Sequence, residues 1–424
     1  MKIEEKAIEI LKDVVCNECL GRQFSELLSG YSNEERGKIV RTFVAFLLDS
    51  DEKINVDIRN FYCYKFRNLK IKPEKPERCK LCKNFFREKI ELITKEIFKK
   101  AKNYEAKSFL IGVIPSDEMK KEEEKLWMRS GIEFVEPIKS EISRELGKKI
   151  EKNSELEFNQ KNPDLTILVD LEKNKVRIDV RSLYVFGKYQ KLARGIPQTK
   201  WICSNCGGKG CVACKGTGKL YKTSVQEIIE KPFLTTTRAK ESSFHGAGRE
   251  DIDARNLDYR PFVIELINPK KRTIDLKKIQ NKINKSRKVK AKNLRIVEKD
   301  LIEKIKSERL DKSYLAEVEF EKNIDKQKIK ELKKLEKATI IQKTPTRVVH
   351  RRADIIRKRG VKKISWELKG KKKLEIKIKT EAGLYIKELI TGDEGRTNPN
   401  VADLISNKVK KISLDVIKIH TKGI

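Results

Sequence analysis

One run of this chain gathers more reactive side chains than any other: Phe244-His245-Gly246-Ala247-Gly248-Arg249-Glu250-Asp251-Ile252-Asp253-Ala254-Arg255, followed shortly by Tyr259-Arg260-Pro261-Phe262. The glycines at 246 and 248 imply a tight loop where a ligand backbone could come close. Carboxylates and arginines then alternate over a few residues. A carboxylate cluster can hold a metal, but Arg is no ligand and repels cations. An anionic substrate held by Arg, with a carboxylate aimed at it as nucleophile, fits the pattern better. The competing reading is a charged surface loop, and the pattern alone does not separate the two.

The second chemical signal is sulfur. Of nine cysteines, eight fall in four C-x-x-C pairs, leaving Cys63 alone. The opening MKIEEKAIEI mixes acids into its first turns and does not read as an export signal, so paired spacing points to zinc before disulfides. Cys203 and Cys206 are separated from Cys211 and Cys214 by Gly207-Gly208-Lys209-Gly210. Two knuckles this close can surround one metal, with glycines turning the backbone so that amides face the thiolates. A redox dithiol would need a single pair. Cys16 and Cys19 form a second expected site with Cys79 and Cys82, the alternative being four buried thiols. Four sulfurs leave no open coordination position, so both zincs are expected to be structural.

Lys and Arg total 98 against 63 Asp and Glu, a formal balance of +35. A heat-adapted, Lys/Glu-rich surface explains abundant charge of both signs but not the excess of one. Such a surface repels itself unless it meets a polyanion, and nucleic acid is the leading candidate. The longest apolar stretch, 43–48, is far too short to cross a bilayer, so a membrane partner is not expected and the chain reads as cytoplasmic. Neither a P-loop nor a dinucleotide fingerprint is present, so no organic cofactor is expected.

Elements must position these groups. Ile3, Ala7, Ile8, Leu11, Val14 and Val15 stand at helical spacing, which predicts an opening helix over 3–15. Further helices are expected over 33–48 and 84–100. A strand over 108–113 should lead into a charged helix of about 30 residues from Ser116. Residues 165–170 and 176–180 alternate around a polar turn and predict a hairpin. Residues 1–195 therefore read as an α/β amino-terminal region, and 196–222 as a cysteine- and glycine-rich insert. Residues 223–424 read as an α+β region with strands over 261–266, 314–320, 364–368, 374–378 and 411–419. Lys-rich helices are expected near 275–285, 298–308 and 325–336.

With these motifs in hand, the chain resembles the Pus-ten family, pseudouridine synthases that modify the T-loop of archaeal tRNA. The resemblance rests on Cys-x-x-Cys-Leu-Gly-Arg-Gln-Phe (16–24), Leu-Tyr-Val-Phe-Gly-Lys-Tyr-Gln-Lys-Leu (183–192) and Gly-Ala-Gly-Arg-Glu-Asp-Ile-Asp-Ala-Arg (246–255). Downstream it takes in Arg-Pro-Phe (260–262), Pro-Thr-Arg-Val-Val-His-Arg-Arg-Ala-Asp (345–354), Ala-Gly-Leu-Tyr-Ile-Lys-Glu-Leu (382–389) and Gly-Asp-Glu-Gly-Arg-Thr-Asn-Pro (392–399). At Leu257-Asp258-Tyr259-Arg260-Pro261 the chain departs from the family's usual glycines.

The resemblance implies an α+β fold: a mixed-sheet pseudouridine synthase domain preceded by a zinc-containing THUMP-type α/β domain. It implies isomerisation of uridine at tRNA positions 54 and 55 without organic cofactor or obligate protein partner. The Gly-Arg-x-Asp pattern of related synthases falls on Gly248-Arg249-Glu250-Asp251, making Asp251 the nucleophile, with Asp253 the runner-up. By the same resemblance Tyr314 supplies the active-site tyrosine, and Lys387 the basic residue that salt-bridges Asp251. Ile386 and Leu414 close the pocket. Tyr189, Lys191 and Arg194 interleave an aromatic with cations and are expected to grip the T-arm, together with Arg249, Arg347, His350, Arg351 and Arg352. The rival functions are another THUMP-bearing enzyme (a thiolase or methyltransferase, whose cofactor motifs are missing) and a non-catalytic zinc-stabilised tRNA-binding protein or RNA chaperone, which would not need Asp251.

Overall fold

Alternating burial of Phe109, Ile111 and Val113 makes β1 (Ser108–Ile114) a half-buried strand. Leu165, Ile167 and Val169 repeat the pattern in β3 (Leu165–Asp170). β1 pairs in parallel with β3 and with the short β2 (Glu157–Phe158), and β3 turns back antiparallel into β4 (Lys175–Val180). The sheet order is β2-β1-β3-β4. Ile142, Leu146 and Ile150 of the helix Ile138–Lys152 are buried in the same core cluster as these strands. Burying each such side chain contributes roughly 1.5–3 kcal/mol.

The computed structural model describes residues 2–50, 53–70 and 72–421, Arg351 by its backbone alone. It divides into two compact units, Met1–Arg181 and Ser182–Ile424. In the first, the expected hairpin forms, but two helices differ from expectation. The long charged helix after Ser116 is two helices, Asp117–Ser130 and Ile138–Lys152. The Ser116 side chain caps the first by accepting from the Met119 amide. Gly131, at φ 73°, ends it, and Pro137 opens the second. The opening helix stops at Ile10. Beyond it the backbone is claimed by other partners: Asn60 accepts from the Val15 amide and the Lys80 amide donates to the Val14 carbonyl.

The second unit is built on a ten-stranded sheet. Its strands are β5 (Leu183–Lys191), β6 (Glu241–Gly246), β7 (Arg255–Ile267), β8 (Val289–Val297), β9 (Asp311–Phe320), β10 (Thr339–Gln342), β11 (Arg357–Gly370), β12 (Lys373–Thr380), β13 (Thr397–Asn398) and β14 (Val409–His420). The order is β13-β10-β11-β12-β9-β14-β7-β5-β8, with β6 also on β7. β14 meets β7 in parallel at Asp415↔Arg255, and the other described pairings are antiparallel, so the sheet is mixed. The helices Leu276–Asn284 and Asp300–Ser307 form where expected. One boundary is corrected. The sequence reading assigns residues through 195 to the amino-terminal region, yet β5 lies inside the second sheet, between β7 and β8. Its residues are almost all buried, and Val185, Tyr189, Phe262 and Ile264 share one core cluster.

Candidate active site

The glycine-flanked loop runs from the end of β6 to the start of β7, and a buried polar network pins it from beneath. Glu250 points inward and pairs with Arg260 at 3.0 Å, both side chains fully buried. The Tyr189 hydroxyl donates to the Glu250 carboxylate, 2.9 Å from the nearer oxygen, and accepts from Gln198 at 2.8 Å. Gln198 also donates to the Gly248 carbonyl, and Arg260 donates to the Ala247 carbonyl. Lys191 donates to the Asp251 and Ile252 carbonyls at 2.9 and 3.0 Å. Gly248 sits at φ 77°, where any Cβ would also come within 3.3 Å of Arg260 and Lys312. The loop needs glycine there for both reasons.

These contacts correct two expectations. Tyr189 and Lys191 are fully buried, so neither reaches RNA from this position. Burial drives the Tyr189 phenol well up, with the Glu250 charge adding to it. Burial also pushes the Lys191 ammonium down to about 8, against the pull of Glu250, Asp253 and Asp251. Arg194 is half-buried, and its guanidinium is engaged within the unit. It donates to the Asp253 and Leu414 carbonyls at 2.8 Å each and pairs with Asp415 at 2.6 Å, bracing the loop against β14. The departure from the family's glycines at Asp258 has a local function as well: its carboxylate accepts from the Ile419 amide of β14 at 2.7 Å.

With Glu250 turned in, Asp251 turns out and is 32% exposed. Two cations from distant parts of the chain meet it. Arg347 donates to Oδ1 at 3.1 Å, and the Lys387 ammonium stands 3.6 Å from Oδ2. Lys387 makes its close contacts elsewhere, 2.7 Å from each oxygen of Asp253. Burial raises the Asp253 carboxyl, but the Lys387 contact outweighs that and holds it below its ordinary range. Lys387 is the second residue of the helix Ile386–Thr391, and its neighbour Glu388 is buried and accepts from Arg347 at 2.6 Å.

Tyr314 lies on β9 opposite Ile378 and Val416. Burial, with Asp251 adding, pushes its phenol up to about 12 despite Arg260. Ile386 and Leu414 are buried in one apolar cluster against which Tyr314 packs. The structure thus brings Asp251, Asp253, Lys387 and Arg347 together. Sequence reasoning missed Glu250, Arg260, Gln198, Asp415 and Glu388 as supports.

Of the remaining cations, Arg249 is exposed and lies 5.2 Å from the Trp201 ring centroid. His350 and Arg352 are exposed, with Arg352 donating to the Tyr385 hydroxyl at 2.7 Å. The side chain of Arg351 lies outside the described residues.

The model of the carboxyl-terminal Pus10 domain matches residues 184–420, and that of the archaeal Pus10 THUMP domain matches 93–170. The chain belongs to the Pus10 family. The start of the first match agrees with β5 belonging to the second unit. Relatives named tRNA pseudouridine synthase Pus10 match nearly end to end. That of Methanothrix thermoacetophila is 37% identical over 97% of this chain and 93% of its own length. Those of Methanopyrus kandleri and Methanocaldococcus jannaschii are each 39% identical, covering 96% and 98% of this chain and 96% and 94% of theirs. Among solved structures, a Cbf5-Nop10-Gar1 complex is matched at TM-score 0.29 and 14% identity over 55% of this chain and 48% of that one, too remote a likeness to argue from.

In this member of the Pus10 family both cysteine quartets fit a metal. The sulfurs of Cys16, Cys19, Cys79 and Cys82 lie within 4.8 Å of one another, as do those of Cys203, Cys206, Cys211 and Cys214. Individual separations of 3.5 Å (Cys16 to Cys82) and 3.9 Å (Cys203 to Cys211) bracket the roughly 3.8 Å edge of a tetrahedron with metal–sulfur bonds of about 2.3 Å. Amides face the sulfurs as the glycines promised: Gly210 donates to Cys206, and Cys211 and Gly218 donate to Cys214, at 3.1 to 3.2 Å. The Cys211 and Gly218 amides hold the Cys214 thiol down at about 6. Among the described residues no helix is long and apolar enough to cross a membrane.

Proposed function

We propose that this chain is a tRNA pseudouridine synthase that isomerises uridine to pseudouridine at T-loop positions 54 and 55, with Asp251 as the nucleophile. The observation that carries the reading is a carboxylate about one-third exposed, held between Arg347 and Lys387 on a loop anchored from below. The family membership supports it independently.

The reaction moves the glycosidic bond from N1 of uracil to C5. The Asp251 carboxylate attacks the ribose or assists departure of the base, uracil turns, C5 bonds to the sugar, and the C5 proton leaves while N1 gains one. Nothing is oxidised or reduced, so no electron carrier is called for. The neighbouring cations favour the ionised carboxylate that the first step requires. A phenol at about 12 stays protonated at neutral pH, so Tyr314 serves by stacking on the flipped base rather than as a phenolate. Ile386 and Leu414 keep water from the separated fragments.

The T-arm is gripped by Arg249, His350 and Arg352. Flipping the uridine costs a few kcal/mol, which phosphate contacts from a chain of +35 can offset. Zinc in both cysteine quartets is structural: it would tie 16–19 to 79–82 in the first unit and fold the 203–214 knuckle in the second. The enzyme works in the cytoplasm, with tRNA as its partner and no obligate protein.

The experiment is to incubate purified protein with unmodified tRNA transcripts, without ATP or other cofactor, and map pseudouridine. Transcripts carrying cytidine at 54 or at 55 separate the two positions. Pseudouridine at both uridines supports the whole reading. Tight binding with no modification of any transcript would favour an RNA-binding protein instead.

A further inference from the structure

Among the described residues the cation in closest contact with Asp251 is Arg347, at 3.1 Å, whereas Lys387 stands at 3.6 Å and lies 2.7 Å from Asp253. Arg347 is not a free surface arginine. Its Nε is seated on Glu388 at 2.6 Å, and that carboxylate is 95% buried. The segment that carries it is tied at both ends. The Thr346 amide donates to Asp393, Val348 is buried, and Thr344 donates to the Ala353 carbonyl and receives the Arg357 guanidinium.

A guanidinium is a planar fork. When Nε is fixed on one carboxylate, the direction of its Nη donor is fixed too. Held this way, Arg347 fixes Oδ1 of Asp251 and leaves Oδ2 toward Lys387 and the open site. A buried Glu388 with no cation would be costly, so the pair Glu388–Arg347 is a built support. It reaches the loop from a part of the chain almost a hundred residues away.

We propose that Arg347 is a positioning residue of the reaction, a guanidinium seated on Glu388 that orients the Asp251 carboxylate, and that Glu388 acts only through Arg347. This rests on the synthase reading above and assigns to Arg347 a task other than the phosphate contact its neighbours suggest.

The test is single-turnover modification of a tRNA transcript by the full chain, with the dissociation constant measured separately by filter binding across salt concentrations. Arg347→Met is expected to lower the rate at saturating enzyme by about 100-fold while changing affinity by no more than about threefold. Arg347→Lys, which keeps the charge without the fork, should recover only part of that rate. Glu388→Gln should lose about tenfold alone and add nothing in the Arg347→Met background, the signature of residues acting as one unit. A maximal rate unchanged in Arg347→Met, with weaker binding and a shallower salt dependence, would make Arg347 a phosphate contact and overturn the proposal. Additive losses in the double variant would overturn the claim for Glu388. If Arg347→Met does not fold, Arg347→Lys decides: a full maximal rate sinks the proposal. If the wild-type chain itself makes no pseudouridine, the synthase reading fails first.

Discussion

Lys387 reaches both oxygens of Asp253 at 2.7 Å while standing 3.6 Å from Asp251, so one ammonium spans two aspartates that are two residues apart. Asp253 is the more exposed of the two, at 62% against 32%. Loss of Lys387 therefore removes a cation from Asp251, the proposed nucleophile, and frees a second carboxylate beside it. Lys387→Met is expected to lower the single-turnover rate at saturating enzyme by about 100-fold or more, with Lys387→Arg intermediate. A variant that loses affinity but keeps its maximal rate would place Lys387 on the RNA instead.

The buried pair Glu250–Arg260 should matter for stability. Removing one partner leaves an uncompensated charge, which costs about 3–5 kcal/mol. Glu250→Gln is expected to lower unfolding free energy by that order in urea titrations. Tyr189→Phe, which removes only a neutral hydroxyl, should lose about 1–2 kcal/mol. Equal, small losses from both would show that the network does not bear on the loop.

Lys191 gives a pH signature. Its ammonium titrates near 8 in the folded chain, chiefly because it is buried, and near 10.5 when the chain unfolds. Between those values the unfolded chain binds more protons, so the contribution to stability rises with pH and is least favourable below about 8. The stability of wild type relative to Lys191→Met should thus increase by about 2 kcal/mol from pH 7.5 to 9.5. Parallel pH profiles for the two proteins would contradict a buried, shifted lysine.

The cysteine quartets predict about two zinc ions per chain by elemental analysis. Cys214→Ser should reduce this to about one and lower the melting temperature of the carboxyl-terminal unit, while Cys63→Ser should leave metal content unchanged. Protein purified without chelator that carries no metal would leave the quartets as ordinary buried thiols.

Much of this was legible before any coordinates. The second cysteine quartet follows from spacing, because only four residues separate its two pairs, and that leaves the other two pairs as candidates for each other. Strands such as β9 and β12 alternate clearly. What stayed hidden has physical reasons. Lys191 shares strand parity with Val185 and Tyr189, yet a tyrosine and two cations within the six residues 189–194 read as a surface. Only the tertiary register of β5 between β7 and β8 shows that Lys191 serves loop carbonyls. Gly131 and Pro137 were visible as breakers, but the run of charged residues across them reads as one helix. That Lys387 favours Asp253, and that Glu388 supports Arg347, depends on where residues over a hundred or forty positions apart converge. No periodicity encodes that.

The most direct test compares Asp251→Asn with Asp253→Asn, each incubated with unmodified tRNA and scored for pseudouridine in the T-loop. Asp251→Asn should bind tRNA as wild type does and form none. Asp253→Asn, whose loss releases Lys387 toward Asp251, should keep the rate within about tenfold of wild type. Pseudouridine formed at the wild-type rate by Asp251→Asn would contradict the account at its centre.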